Sequence, residues 1–257
     1  MSPDGGEGDE RFSRTRLLLG PEALKKLTNA HVAVVGLGAV GSYAVEAIVR
    51  AGIGNITLVD FDRVRLSNFN RQIYAITPNL NRYKVEIAHE RVLQINPECK
   101  VIEHRIFIDG ATSKLLLEKA ADIMVDAIDS LAPKVHFMSA CVKAGARLIS
   151  CLGAASRMDP FAIRVGDIDE TTMCPFARMI RKKLHKLGVY SGIRCVYSVE
   201  QPRKQRKIEK PAIAAPAEEG EFVHGRSRTP IGSMSYVPGM FGLIAASEAV
   251  SYIINKE

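Results

Sequence analysis

The plainest chemistry in the chain belongs to Gly36, Gly38 and Gly41, in the run Gly36-Leu37-Gly38-Ala39-Val40-Gly41. Glycines at this spacing let the backbone turn tightly and approach a phosphate. A helix starting there adds free N–H groups and its positive dipole end. Asp60 stands 19 residues after Gly41, where a carboxylate can accept hydrogen bonds from a ribose. Such glycines also serve plain helix–strand packing. Between an apolar strand and a helix, and with Asp60, they point to an adenine nucleotide. Arg14, Arg71 and Lys84 add more positive charge than a dinucleotide needs, and Asp129 can hold Mg²⁺. Together they suit ATP attacked at its α-phosphorus with pyrophosphate leaving. Taken singly, each of these charges reads more simply as a solvated surface residue.

Alternating elements must position these residues. The pattern predicts a short helix over 21–27 and strands over His31–Val35, 55–60, Lys100–His104, 122–127 and 147–151, with helices over 41–51, 83–95, 112–119 and 132–143. That alternation reads as a Rossmann-like doubly wound α/β fold: a mostly parallel sheet with helices on both faces. The connection 61–81 is polar and offers no regular element. Farther on, 162–165 and 193–198 read as strands, antiparallel additions in the C-terminal half, around a basic helix at 175–187. Residues 1–10 read as a disordered tail and 11–257 as a single domain with a mobile loop at about 202–229.

The 257 residues are 47% hydrophobic and 25% charged, which excludes disorder as the main state. Lys and Arg exceed Asp and Glu by 35 to 28, a net charge of +7 that permits a polyanionic partner. Five scattered cysteines without paired spacing fit a reducing compartment, and the acidic N-terminus is unlike a signal peptide, so the expected location is cytoplasmic. The apolar stretch 239–255 contains Glu248 and two serines and falls short of the ~20 apolar residues of a span. It reads as a core or dimer-interface helix, without stable membrane insertion.

The residues Arg11-Phe12-Ser13-Arg14, the glycine loop, Leu58-Val59-Asp60-Phe61-Asp62, Ser67-Asn68-Phe69-Asn70-Arg71-Gln72, Lys84 and Asp129-Ser130 resemble the ubiquitin-activating-enzyme-like adenylyltransferases (ThiF-MoeB type). The resemblance, over about 11–155, implies activation of a carboxylate as an acyl-adenylate with ATP and Mg²⁺, in a homodimer whose Arg14 reaches the partner's site. It implies that Asp60 holds the ribose, that Asn68, Arg71 and Lys84 hold the triphosphate, and that Asp129 serves the metal and the reacting phosphate. Gly36, Gly38, Ala39, Gly41, Asp62, Ser67, Asn70, Gln72 and Ser130 complete the implied nucleotide site. Ala39 replaces a glycine common in relatives but keeps its backbone N–H.

Two departures narrow the branch. The carrier-activating members usually bind a structural zinc through two CxxC pairs; this chain has no CxxC, so no zinc is expected. It is also too short for a ubiquitin-fold domain. Asn70-Arg71-Gln72-Ile73-Tyr74-Ala75, Gln94-Ile95-Asn96-Pro97-Glu98-Cys99, the segment from Gly153-Ala154-Ala155 to Asp159-Pro160, and Tyr197-Ser198-Val199-Glu200 are similar to the tRNA threonylcarbamoyladenosine dehydratases. That similarity implies an RNA substrate: the carboxylate of threonylcarbamoyladenosine next to the anticodon is adenylated, and the carbamoyl group of the same modification displaces AMP. Ring closure within one molecule profits from effective molarity and needs no enzyme cysteine. The alternative is an adenylyltransferase acting on the C-terminal Gly-Gly of a ubiquitin-like sulfur carrier.

Cys174, before Pro175 at a helix start, and Cys151, at a strand end, are the candidate reactive thiols; both read more simply as packing residues. The segment Ile231-Gly232-Ser233-Met234-Ser235-Tyr236 lacks the cysteine some relatives carry, which weakens a sulfur relay, although a sulfur-transfer partner stays open. The six histidines show no metal-ligand spacing. Basic residues gather at Arg178, Arg181, Lys182, Lys183 and Lys186, then at Arg203, Lys204, Arg206, Lys207, Lys210, Arg226 and Arg228. They fit phosphate contact with tRNA, or a solvated helix face and loop equally well.

Overall fold

A computed structural model describes residues 10–118, 121–205 and 231–256. Within them the strands β1 (His31–Val35), β2 (Asn55–Val59), β3 (Lys100–His104), β4 (Ile123–Asp126), β5 (Leu148–Cys151), β6 (Ile163–Asp167) and β7 (Arg194–Ser198) form one sheet in the order β3-β2-β1-β4-β5-β7-β6. All neighbours are parallel except β6 and β7, which pair antiparallel. The central strands β1, β2, β4 and β5 are buried runs because both faces are covered. Val32 and Val34 of β1 join one core; Ala33 and Val35 join the other.

Helices α2 (Pro21–Asn29), α3 (Gly41–Arg50), α4 (Lys84–Ile95) and α8 (Tyr236–Asn255) supply the first core, and α5 (Gly110–Glu118), α6 (Leu131–Lys143) and α7 (Pro175–His185) the second. Helix α8 is long and apolar enough to cross a membrane, with mean hydropathy 1.5. Its Val237, Phe241, Ala245, Ala249 and Ile253 are instead buried in the first core, packed against α3 and β5. Lys26 closes its end by donating to the carbonyl oxygens of Ile254 (3.0 Å) and Lys256 (2.6 Å).

Three features depart from the sequence reading. Helix α1 (Ser13–Leu19) precedes α2, and Glu10 already belongs to a 3-10 turn rather than to a tail. The connection 61–81 holds two 3-10 turns, Leu66–Asn68 and Thr77–Asn79. It is closed onto itself: the Val64 N–H donates to the Arg82 carbonyl (2.9 Å) and the Asn81 N–H to the Val64 carbonyl (3.0 Å). No periodicity announces such a loop, because its order comes from long-range backbone bonds. Most of the expected loop at 202–229, with Arg206, Lys207, Lys210, Arg226 and Arg228, lies outside the described residues, as do positions 1–9 of the tail.

Strand order reverses between β1 and β4. In doubly wound sheets, ligands bind at the carboxyl ends of the strands at this point. The glycine loop leaves β1 here and the 127–130 loop leaves β4.

Candidate active site

The glycine loop is built by close approach. Gly36 has φ +93°, and a Cβ there would lie 2.9 Å from the Ala127 carbonyl oxygen. A Cβ on Gly41, the first residue of α3, would strike the Gly36 carbonyl oxygen. The loop therefore turns tightly against β4 and leaves the N-terminus of α3 facing the crevice. Gly38 faces Gln72, whose Nε2 lies 3.7 Å from where its Cβ would stand.

Asp60 follows β2 and receives the Leu37 N–H (2.6 Å) and the Asp62 N–H (2.8 Å). One carboxylate thus fastens the glycine loop to the end of the second strand. Burial pushes the Asp60 carboxyl above its ordinary range, against the pull of Lys84. Lys84 opens α4 and is 4% exposed, with its Nζ 3.0 Å from Asp62 Oδ2. Burial alone would lower its pKa, but the charges of Asp60, Asp62 and Asp129 outweigh that and raise it. These four side chains therefore share one electrostatic site.

The 67–72 loop is ordered by its own polar groups. The Asn68 side-chain oxygen accepts from the Arg65 N–H (3.1 Å); Arg71 donates to the Ser67 carbonyl (2.7 Å) and to Asn70 Oδ1 (2.9 Å). Asn70 donates in turn to the Ser233 carbonyl (2.9 Å), which ties this loop to the segment entering α8. Gln72 is buried, and its Oε1 has no hydrogen-bond partner. A glycine cradle beside an unsatisfied buried amide oxygen fits a polar ligand such as a nucleotide.

Asp129 is exposed, and Ser130 donates to it at 3.3 Å. Beneath it lies a network invisible to motif reading. Asp126 and Lys134, both fully buried, pair at 2.8 Å; Ser150 donates to Asp126 (2.7 Å), Lys134 to the Ile128 carbonyl (3.0 Å), and the Ile128 N–H to Asp126 (2.9 Å). The pair fixes the exit of β4 and hence the loop that presents Asp129. No motif in the sequence singles out Lys134.

Arg14 does not join these residues. It is exposed on α1, whose neighbour Phe12 packs beside Gly52 at the amino edge of the sheet. All five cysteines are buried and unpaired. Burial lifts the Cys151 thiol to about 12, and Cys174 Sγ accepts from the Ala177 N–H at 3.4 Å as a helix cap. Neither presents an exposed nucleophile. A cavity of about 570 Å³, lined by Ile123, Arg147, Leu148, Arg194, Glu248 and Tyr252, opens at the amino ends of the strands, away from this chemistry.

Known proteins resemble this chain in sequence and in fold. A tRNA threonylcarbamoyladenosine dehydratase of Bacillus subtilis is 36% identical over 245 residues, 95% of each chain. Solved structures of the Escherichia coli tRNA N6-threonylcarbamoyladenosine dehydratase with ATP and with AMP match at TM-scores of 0.82 and 0.83, at 33% and 32% identity, covering 96% and 98% of this chain and 95% and 98% of theirs. The molybdopterin-synthase adenylyltransferase of Escherichia coli is 36% identical over 140 residues, 54% of each chain. The ThiF family model matches residues 12–257, and the chain belongs to the ThiF family.

Proposed function

We propose that the chain is an ATP-dependent tRNA threonylcarbamoyladenosine dehydratase. A carboxylate oxygen of the modified adenosine attacks the α-phosphorus of ATP, and pyrophosphate leaves. The carbamoyl group then attacks the acyl carbon, loses its proton, and expels AMP as the ring closes. The tRNA product is one water lighter, and ATP ends as AMP and pyrophosphate. Coverage carries this reading: likeness to the dehydratases spans nearly both whole chains, while likeness to the carrier adenylyltransferase stops at about half.

Asp60 would hold the ribose, and Asn68, Arg71 and Lys84 the triphosphate, while the N-terminus of α3 faces the phosphates. Three carboxyl groups, those of Asp60, Asp62 and Asp129, act on one buried ammonium. That imbalance favours added cations, which supports both Mg²⁺ and an arginine from a second subunit. Mg²⁺ commonly takes one or two protein carboxylates together with substrate phosphates. Asp129 fits that role, and the ion when bound neutralises phosphate charge. Leu17 and Leu18 on α1 are 82% and 83% exposed beside Arg14, as expected where a homodimer forms and Arg14 crosses to the partner. We place the enzyme in the reducing cytoplasm. With every cysteine buried, we assign no covalent sulfur step to a partner protein.

The test is nucleoside mass spectrometry of tRNA bearing threonylcarbamoyladenosine after incubation with the protein, ATP and Mg²⁺. Loss of one water, dependent on ATP and matched by AMP, is the expected result. An unchanged nucleoside, with pyrophosphate exchange appearing only on addition of a Gly-Gly carrier, would overturn it.

A further inference from the structure

Helix α7 carries an uncompensated stripe of positive charge. Arg178, Lys182 and Lys186 recur every four residues on its exposed side, with exposed Lys183 alongside. Like charges at this spacing repel one another, and only those in the last turn gain from the helix dipole. Among the described residues none of the four forms an ion pair with a carboxylate. Arg181 differs: it donates to the Thr171 carbonyl at 2.6 Å. The opposite side of the helix, Ala177, Ile180 and Leu184, is locked into the core, so the charged stripe is held in place.

A groove of about 200 Å³ runs between α7 and the first turns of α6. It is lined by Ala132, Val135, His136, Lys183, Lys186 and Leu187. Helix α6 starts at Leu131, two residues after Asp129. The groove's far wall is therefore the helix that begins at the reacting end of the site.

We propose that phosphates of the tRNA backbone lie in this groove, held by Lys183 and Lys186 with His136 opposite, and that Lys182 and Arg178 continue the track along α7. The inference rests on the dehydratase reading and says which surface of this chain receives the RNA. Lysine ammonium groups act as point charges that recognise phosphate without reading bases. That suits a substrate defined by its fold and its modification. An unpaired basic stripe leading toward the catalytic loop complements a polyanion that must deliver one nucleotide into the crevice.

The experiment compares wild type with Lys183→Glu/Lys186→Glu and with Lys183→Arg/Lys186→Arg. It reads the Kd for tRNA across a salt series and the KM for tRNA in the mass-spectrometric assay. The Glu pair should weaken tRNA binding about tenfold or more, and its plot of log K against log salt should be shallower by roughly two. The Arg pair should bind as wild type does. Melting temperature and ATP affinity check the fold, and Lys183→Gln/Lys186→Gln carries the same comparison if the Glu pair melts early. Unchanged Kd and salt slope, in variants of an enzyme whose wild type dehydrates the nucleoside, overturn this surface and leave the dehydratase reading standing. Weakened binding of an acidic protein partner with tRNA binding intact also overturns it. A wild type that neither binds nor dehydrates the tRNA removes both.

Discussion

Lys84 and Asp129 show what single side chains contribute. Lys84 is nearly buried yet keeps its proton, because Asp60, Asp62 and Asp129 more than offset the cost of desolvating an ammonium. Asp129 stands at the open end of the same cluster, supported from below by the Asp126–Lys134 pair. Its substitution removes a carboxylate without opening a core. Asp129→Ala should cut AMP formation by about 100-fold or more while the melting temperature stays at the wild-type value. Single-turnover AMP release from ATP measures the first and a thermal melt the second. Full activity would take Asp129 out of the reaction. The acidic members of this cluster were legible as spaced motifs; that they converge on one ammonium was not, because Asp129 stands 69 positions after Asp60 in sequence.

At the scale of elements, two helix starts must keep a fixed distance: α3 presents the glycine loop and α4 presents Lys84. Glu46 of α3 joins them. Arg91 of α4 donates to it through Nε (2.9 Å) and Nη2 (2.7 Å), and Arg50 donates from one turn along at 2.8 Å. Burial pushes the Glu46 carboxyl up, but the bonds from Arg91 and Arg50 prevail and hold it below the ordinary glutamate value. A carboxyl lowered in the folded state stabilises fully above its unfolded pKa, about 4.3, and loses that contribution as pH falls through the folded value. Glu46→Gln should therefore cost about 1 kcal/mol at pH 7. Urea midpoints of the two proteins should converge as the pH drops below about 4. A gap that persists in acid would mean that packing, not charge, sets the effect of Glu46. The strands and helices themselves were legible from apolar runs and periodicity. Helix α1 escaped because its apolar residues form one short run, Leu17-Leu18-Leu19, with no helical periodicity.

For the whole molecule, the question is whether one chain makes a complete site. Arg14 rides on α1 at the amino edge of the sheet, while Gly36, Asp60, Lys84 and Asp129 gather at the carboxyl edge. If Arg14 serves a neighbouring subunit in a two-fold dimer, Arg14→Ala and Asp129→Ala should each be inactive alone. Coexpressed, they should recover about a quarter of wild-type activity, because half the dimers carry one intact site. Activity of the mixture no higher than that of either variant would rule out a shared site. An Arg14→Ala protein with wild-type kinetics would remove this arginine from the chemistry.

By itself the sequence determined the alternating elements, the glycine loop and the order and spacing of the motif residues. These depend on local pattern: apolar runs for buried strands, 3.6-residue periodicity for helices, and glycine where side chains do not fit. Only the tertiary structure decided that α8 is a core helix and that Lys134 is a buried support for the Asp129 loop. It alone showed the 61–81 connection closed on itself and Arg14 exposed on α1, apart from the Asp60, Asp62, Lys84 and Asp129 cluster. Each of these follows from contacts between distant stretches of chain: Phe241 against α3 and β5, Asp126 against Lys134, Val64 against Arg82. Burial and pairing belong to neighbours in space, so no local pattern encodes them.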